Sequence, residues 1–227
     1  VAVGNAEILA GIVINQLLEP GRPLIYNLGL AHVFDMQHAT AVTGGPENAL
    51  FARASAALGR FYRLPSSSWV STESVFEDEQ AALEKMFGFH THAEAGVGVI
   101  WGLGQLESEM TMSPGQLVID HEMISYARHY ARGLRVDDET LQFALIREVG
   151  IAGSYLETEH TLTQYRDALF QQRLLNRAAR EQCPADLAAV ARERAAAWIA
   201  HDPAPKITPA QQAALLQIED KFRMLLR

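Results

Sequence analysis

The sequence predicts a parallel α/β fold, because segments of helical periodicity alternate along it with short apolar segments that suit buried strands. The 227 residues are 48% hydrophobic, which is enough for the core of one domain of ordinary size. Glycine and proline breaks separate the segments, and no Pro/Ser-rich linker divides the chain. Taken alone, this pattern fits half of a (β/α)8 barrel and a small doubly wound sheet equally well.

The first part of the chain is expected to alternate three helices with three strands. Helix Asn5–Leu18 ends where Glu19-Pro-Gly21 breaks the apolar run. Helices Glu47–Tyr62 and Glu77–Ala95 show apolar residues at helical spacing, and acidic residues favour the dipole at the start of the latter. The expected strands are Leu24–Asn27, a segment near Leu64 and Val97–Trp101, and the expected loops are Gly29–Gly45 and Ser66–Glu73.

The second part of the chain is expected to be mainly helical. Ser113 suits an N-cap, Pro114 the first helical position and Gln116 the capping box, so a helix should run from there to about Ala131. Gly133 suits its C-terminal cap, and another helix should begin near Asp137. Residues 162–174, 186–200 and 208–225 are also expected to be helical.

Charge and composition exclude several classes of function. The net charge of −8 argues against non-specific nucleic-acid binding, which needs basic surface. The single Cys183 excludes an internal disulfide and fits a reducing, cytoplasmic setting. No apolar run approaches the roughly 18 residues of a membrane span. The pair His90 and His92 falls on a predicted helix, where residues two apart do not share a face, so no metal site is expected.

Several blocks of the chain resemble one known family. Residues 150–166 run from a Gly-rich turn through a short extended segment to a helix with Tyr165 and Arg166, and they resemble the trimethylamine methyltransferase family. Further blocks resemble that family in the same order, namely Gly4–Glu7, Pro23–Tyr26, Arg60–Pro65, Gly102–Ser108 and Leu117–Glu122. The resemblance spans residues 4–167 and corresponds to the C-terminal half of the family's chains.

The resemblance implies a fold that the periodicity left open. It implies that residues 1–180 form the C-terminal half of a TIM-type (β/α)8 barrel and that residues 181–227 form a helical tail packing on the barrel. Half a barrel leaves open sheet edges. We therefore expect the missing N-terminal half to come from another chain, from a homo-oligomer mate or from residues beyond this sequence.

The resemblance also implies a chemistry. A methyl group would pass from a quaternary or tertiary amine, such as glycine betaine, to the Co(I) corrinoid of a partner carrier protein, with no cofactor bound tightly by this chain. Some family members carry pyrrolysine at a position near residues 66–70, where this chain has ordinary residues. It therefore resembles the non-pyrrolysine, quaternary-amine branch. The alternative is a non-catalytic subunit that binds betaine or serves a structural role.

Candidate site residues follow from where such barrels place their active sites, at the loops after the strands. Four stretches qualify: Tyr26–Asp35, Ser66–Phe76, Trp101–Glu107 and Gly153–His160. A quaternary ammonium has no N–H group, so aromatic faces and carboxylates must hold it. The expected substrate-binding residues are Tyr26, Asn27, Trp69, Glu73, Trp101, Glu107 and Tyr155. His160 is the expected catalytic residue, which would orient the polar end of the substrate.

Overall fold

The computed structural model describes residues 1–28, 32–183, 186–201 and 207–225. They form two compact units, Val1–Ala195 and Ala196–Arg227. The helices are α1 (Ala2–Leu18), α2 (Pro46–Tyr62), α3 (Glu79–Ala95), α4 (Pro114–Ala131), α5 (Asp138–Leu141), α6 (Phe143–Val149), α7 (Glu159–Ala168), α8 (Leu187–Ala200) and α9 (Pro209–Leu225), with a short 3-10 helix at Arg180–Gln182. The strands are β1 (Tyr26–Asn27), β2 (Val33–Asp35), β3 (Thr40–Val42), β4 (Ser66–Trp69), β5 (Val99–Trp101), β6 (Gln105–Leu106) and β7 (Thr111–Met112).

The first unit is built on a three-stranded parallel sheet with the order β1-β4-β5. Helices α2 and α3 connect successive strands and pack on the sheet, as parallel connections require. The predicted α/β class with a parallel sheet is therefore confirmed. No closed barrel forms within the residues that the structure describes.

The central strand β4 lies where the sequence predicted a polar loop, so that prediction is wrong for residues 66–69. All four of its residues are buried. Their polar groups find partners on the neighbouring helices: the Ser55 hydroxyl donates to the Ser67 carbonyl at 3.4 Å, and the Ser68 hydroxyl lies 3.1 Å from His92 Nε2. Helices α2 and α3 thus supply partners to the Ser67 backbone carbonyl and to the Ser68 hydroxyl, which allows these polar groups to be buried.

Within the described residues, two antiparallel hairpins form at positions where the sequence predicted no strand. Strands β2 and β3 pair within the predicted loop Gly29–Gly45, of which residues 29–31 lie outside the described chain. Strands β6 and β7 pair after β5. The stretch Gly153–His160 was expected to follow a strand, but the structure describes only helix α6 and turns before it. Three strand ends, rather than four, therefore meet at one edge of the sheet.

Local capping signals set the starts of two long helices. Asp78 accepts a hydrogen bond from the Ala81 amide at 2.9 Å, and Ser113 accepts one from Gln116 at 3.0 Å, as its sequence predicted. Helix α7 ends at Ala168 rather than at residue 174. The reason is tertiary, since the Arg173 amide donates to Glu122 on α4 at 2.8 Å instead of to a preceding helical carbonyl.

Among the described residues, two apolar clusters contribute to the core. Ala52 and Ala56 of α2 pack with Val97 next to the sheet. Val118, Ile119, Leu174, Ala191 and Ala195 join α4 to α8. Outside the clusters, helix α1 exposes much of its apolar surface, including Val13 and Leu17. No described helix is both long enough and apolar enough to cross a membrane.

Candidate functional site

The loops that follow β1 and β4 are joined by a carboxylate. Glu73 accepts hydrogen bonds from the backbone amides of Thr43 and Gly44 and from the Thr43 hydroxyl. The Asn48 amide group donates to the carbonyls of Thr43 and Trp69, at 2.7 and 3.2 Å. These bonds hold the first loop against the end of the central strand.

The loops that follow β4 and β5 are joined through their backbones. The Glu107 amide donates to the Ser74 carbonyl at 2.8 Å, and the Ser108 amide donates to the Thr72 carbonyl at 2.9 Å. Thr72 is fully buried at this junction. The three loops therefore form one continuous surface at the C-terminal edge of the sheet, where α/β folds place their binding sites.

Three aromatic rings meet on this surface, and we call His32, Trp69 and Trp101 the aromatic site. The indoles of Trp69 and Trp101, which end paired strands, stack with their centroids 5.6 Å apart. The His32 ring meets Trp69 edge-on at 5.3 Å. Trp69 is 2% exposed, whereas Trp101 is 37% exposed. The Trp69 Nε1 atom is buried and has no hydrogen-bond partner among the described residues.

Glu109 lies in the turn between β6 and β7, next to Ser108, whose amide donates to the Thr72 carbonyl of the second loop. Its Oε1 atom is buried without a hydrogen-bond partner in the described parts of the chain. Burial raises the pKa of Glu109, and the charge of nearby His32 acts in the opposite direction. The sequence prediction missed this residue because it ended the third loop at Glu107, and the carboxylate itself carries no local signature.

A buried ion pair between α3 and α4 contacts the loop that follows β5, which is the third of these loops. Lys85 and Asp120 are both fully buried, with Nζ and Oδ2 2.6 Å apart. Lys85 also donates to the carbonyls of Gly102 and Gln105, at 3.2 and 2.7 Å, and Asp120 accepts from the Gly104 amide at 2.6 Å. Burial lowers the pKa of Lys85, and the adjacent carboxylate opposes that shift. The pair therefore fixes the backbone that follows Trp101.

The structure brings some of the predicted site residues together. Trp69 and Trp101 form the stacked pair, and Glu73 joins the loops beside them. Glu107 lies in the same third loop, but its exposed carboxylate accepts a hydrogen bond from the Thr111 hydroxyl at 2.6 Å. Both glutamates are thus engaged in holding the loops.

Tyr26 lies within the core of the first unit. It is fully buried, its hydroxyl donates to Asn5 at 2.8 Å, and its ring stacks on Tyr62. Burial raises its pKa. Its partner in the sheet is Ser66, at the opposite end of β4 from Trp69, so the structure does not bring Tyr26 to the aromatic site. Asn27, the next residue of β1, is exposed.

Tyr155 and His160 lie on the α6–α7 segment. The Tyr155 carbonyl accepts from the Thr158 hydroxyl at 2.9 Å, and His160 is in the first turn of α7. Within the described chain, neither makes a hydrogen bond, ion pair or ring contact with the aromatic site. Their assignment to the site remains a prediction.

The structure also contains a groove away from the strand ends. A groove of about 820 Å³ is lined by residues of α3, α4 and the start of α8, including Met86, Met123 and Leu187. It lies among helices rather than at the strand ends. The described residues contain no group of three or more His, Cys, Asp or Glu side chains placed to bind a metal ion.

Comparison with known proteins gives one family and a set of relatives. The model of the family described as trimethylamine methyltransferase (MTTB) matches residues 1–222. Trimethylamine methyltransferase MttB of Desulfitobacterium hafniense (strain DSM 10664 / DCB-2) is 36% identical over 181 residues, which cover 78% of this chain and 36% of that protein. MttB of Methanosarcina thermophila is 40% identical over 158 residues, covering 69% and 32%. Glycine betaine methyltransferase of Desulfitobacterium hafniense (strain Y51) is 36% identical over 177 residues, covering 77% and 37%. The chain thus spans only about a third of the length of these relatives.

Proposed function

Because the chain belongs to the trimethylamine methyltransferase family, we propose that it forms part of an enzyme that transfers a methyl group from an amine to a corrinoid. The substrate is a quaternary or tertiary amine of the glycine betaine kind, and the corrinoid is carried by a partner protein. The observation that carries the proposal is the stack of Trp69 on Trp101 at the strand ends.

The aromatic site suits a methylated ammonium group. Such a cation cannot donate an N–H hydrogen bond, so its recognition depends on the negative faces of aromatic rings and on nearby carboxylates. Indole is the strongest of these faces, and the two stacked indoles differ in exposure. A cation can therefore approach the face of Trp101, while Trp69 stays fixed in the core behind it.

The proposed methyl transfer does not require general acid–base catalysis by residues of this chain when the substrate is a quaternary amine. When bound by its carrier protein, the corrinoid would supply the Co(I) nucleophile that accepts the methyl group. A quaternary nitrogen has no proton to remove, so the protein's task is to orient the N–CH3 bond and exclude water. The partial exposure of Trp101 is consistent with this mechanism, because the surface at the strand ends must be accessible to the corrinoid of the carrier protein.

The proposal includes a second structural part that completes the barrel. The described three-stranded sheet has edges at β1 and β5, and helix α1 exposes an apolar face. Both features suit half of a TIM-type barrel. We expect the other half to come from further residues of the same protein, from another chain or from a second copy, and we call the completed molecule the assembled enzyme.

Calorimetric titration of glycine betaine and of trimethylamine into the assembled enzyme tests the substrate assignment. Replacing Trp101 with leucine should weaken betaine binding about tenfold, because it removes a cation–π contact that contributes roughly 0.5–2 kcal/mol. Trp198→Leu, which changes a tryptophan of the C-terminal unit, is the matched control. A wild-type enzyme that binds neither amine would exclude this function.

The alternative function is a subunit that binds betaine or serves as scaffold without turnover. It is favoured by the position of His160 in the first turn of α7, where no contact with the aromatic site is found among the described residues. Mixing the assembled enzyme with betaine and a Co(I) corrinoid carrier discriminates between the two, since methylation changes the corrinoid absorption spectrum. A non-catalytic subunit would bind betaine and leave the spectrum unchanged. Replacing His160 with glutamine in the same assay tests its predicted role.

A further inference from the structure

The C-terminal ends of α4 and α7 border a cavity of about 530 Å³. Four arginines line it, namely Arg128, Arg132, Arg166 and Arg173. We call these residues and the space that they line the arginine cavity. Among the described residues of its lining, only Leu169 and Phe170 are apolar, and its volume is that of a small-molecule site. The cavity therefore suits a small polar ligand.

The positive charge of the arginine cavity is not neutralised by ion pairs. A guanidinium group stays charged at any physiological pH, and no carboxylate among the described residues pairs with any of the four. Arg166 donates only to the hydroxyl of its neighbour Tyr165, at 2.9 Å. Two carboxylates, Glu122 and Asp167, also line the cavity, but Glu122 accepts a hydrogen bond from the Arg173 backbone amide.

Helix ends account for part of this charge. Arg128 lies in the last turn of α4, Arg132 is the C-cap of that helix, and Arg166 lies in the last turn of α7. A helix C-terminus carries about half a negative charge, so two such ends offset about one arginine charge. Arg173 follows α7 and belongs to no helix. An excess of positive charge therefore remains in a concave site, where it attracts anions.

The wall that carries Arg173 is held against α4 by two kinds of contact. The Phe170 ring packs edge-on against Tyr126 at 5.0 Å and against His129 at 5.7 Å. Glu122, which is 4% exposed, accepts from the Arg173 amide at 2.8 Å. The backbone on both sides of the cavity is thus positioned before a ligand binds, which lowers the entropic cost of binding.

The groove among α3, α4 and α8 has the opposite charge, and its acidic groups already have partners. Glu77 and Asp186 both pair with Arg192. Glu122, which lines the groove as well as the arginine cavity, is engaged by a backbone amide. The arginine cavity is therefore the place where charged side chains lack partners within the described chain.

The number and origin of the arginines indicate phosphate as the ligand group. Guanidinium groups bind phosphate and carboxylate through paired hydrogen bonds. A carboxylate presents two oxygens in one plane, whereas a terminal phosphate presents three around a tetrahedral centre. The arginines belong to α4, to α7 and to the segment after α7, so they reach the cavity from different elements. Several of them can therefore share one phosphate group, which a planar carboxylate does not allow.

We propose that the arginine cavity binds a phosphorylated small molecule, whose phosphate oxygens accept charge-assisted hydrogen bonds from the arginines. The remaining volume accommodates an organic group beside Leu169 and Phe170. This binding site goes beyond the proposed methyl transfer and does not depend on it. The cavity shares no lining residue with the aromatic site.

Calorimetric titration of the assembled enzyme with three probes tests this proposal. Diphosphate supplies the phosphate group alone, ADP supplies the same group on an organic body, and malonate is a small dicarboxylate. Arg132→Gln and Arg173→Gln each remove one charge from the cavity. Arg53→Gln, at an exposed position of α2 outside the cavity, removes the same charge and is the matched control. All titrations use one ionic strength, because salt screens exposed charges.

The wild-type enzyme should bind diphosphate and ADP at least about tenfold more tightly than malonate. Each cavity variant should weaken diphosphate binding about tenfold, because a hydrogen bond to a charged group is lost, and Arg53→Gln should stay within about twofold of the wild type. Arg132 and Arg173 are exposed, so their variants should keep the wild-type urea midpoint, which excludes misfolding as the cause. Tighter binding of ADP than of diphosphate would assign the ligand to the nucleotides, and equal binding would assign recognition to the phosphates; both support the proposal.

Three results would overturn the proposal. A wild-type enzyme that binds neither phosphate probe would show that the arginines are neutralised within the assembled enzyme or solvated. Equal affinity for malonate would remove the preference for phosphate, and equal weakening by Arg53→Gln would reduce the effect to overall charge. Amine binding is measured in separate titrations, so failure of the proposed function would leave this inference in place.

Discussion

Replacing Lys85 with methionine tests whether the buried ion pair stabilises the loop that follows Trp101. The variant keeps most of the side-chain volume but leaves the Asp120 carboxylate buried without its cation. It also removes the donor of the Gly102 and Gln105 carbonyls. Breaking a buried pair by removing one partner costs about 3–5 kcal/mol, so the free energy of unfolding should fall by that amount.

Equilibrium unfolding in urea measures this loss, and a double-mutant cycle assigns it to the pair. Asp120→Asn alone should be costly for the same reason, because it leaves the Lys85 charge buried. The double variant with methionine and asparagine has no buried charge and should be more stable than the sum of the single effects predicts. Lys221→Met, at an exposed position of α9, is the control and should change stability by less than about 0.5 kcal/mol.

Additive single effects, or a loss below about 1 kcal/mol for Lys85→Met, would refute this reasoning. The functional consequence can be measured on the same variants. Because Asp120 holds the Gly104 amide and Lys85 holds two further carbonyls of the loop, the folded fraction of Lys85→Met should bind betaine more weakly. Unchanged affinity would mean that the loop keeps its position without the pair.

Three further predictions concern residues around the same edge of the sheet. Burial lowers the pKa of His92 from 6.5 to about 4. Between those pH values the unfolded chain binds a proton that the folded chain does not, so the free energy of unfolding should decrease as the pH falls. From pH 7 to pH 5 the loss should be about 2 kcal/mol by urea unfolding, and His92→Asn should abolish that slope. Gly102→Ala should lower the free energy of unfolding by more than about 1–3 kcal/mol in the same assay, because φ is +100° and the new Cβ would lie 2.3 Å from the Val70 carbonyl oxygen. Gly21→Ala is the control for the steric part of this loss, because Gly21 also has a positive φ but a Cβ there would meet open space. Glu73→Gln should reduce betaine affinity severalfold by loosening the first loop, detected by titration, and an unchanged affinity would separate that loop from the site.

Much of the first unit could be predicted from local pattern. Asp78 and Ser113 begin their helices with side-chain caps, and such signals depend only on residues within one turn. Trp69 and Trp101 were predicted to lie near one another because loops that follow neighbouring parallel strands converge, although the strand that ends at Trp69 was itself predicted to be a loop. Family membership likewise followed from the order of short blocks along the chain.

Other features could not be predicted from local pattern. The serines of β4 look like a loop until Ser55 and His92 supply their partners from neighbouring helices. The early end of α7 depends in the same way on Glu122, 51 residues away from the amide it accepts. In each case a long-range hydrogen bond overrides the local preference.

The amino-acid sequence by itself determined the family, the parallel α/β class and the main helices, because periodicity, capping and motif order are local properties. Only the tertiary structure decided which carboxylates already accept hydrogen bonds and which carboxylate oxygen is buried without a donor among the described residues. Glu73, Glu107 and Glu109 are the same residue type, and nothing in the sequence distinguishes the hydrogen bonding or burial of their carboxylates. They differ because hydrogen bonding and burial are properties of the space that the folded loops create, and those loops are held by contacts between residues far apart in the chain.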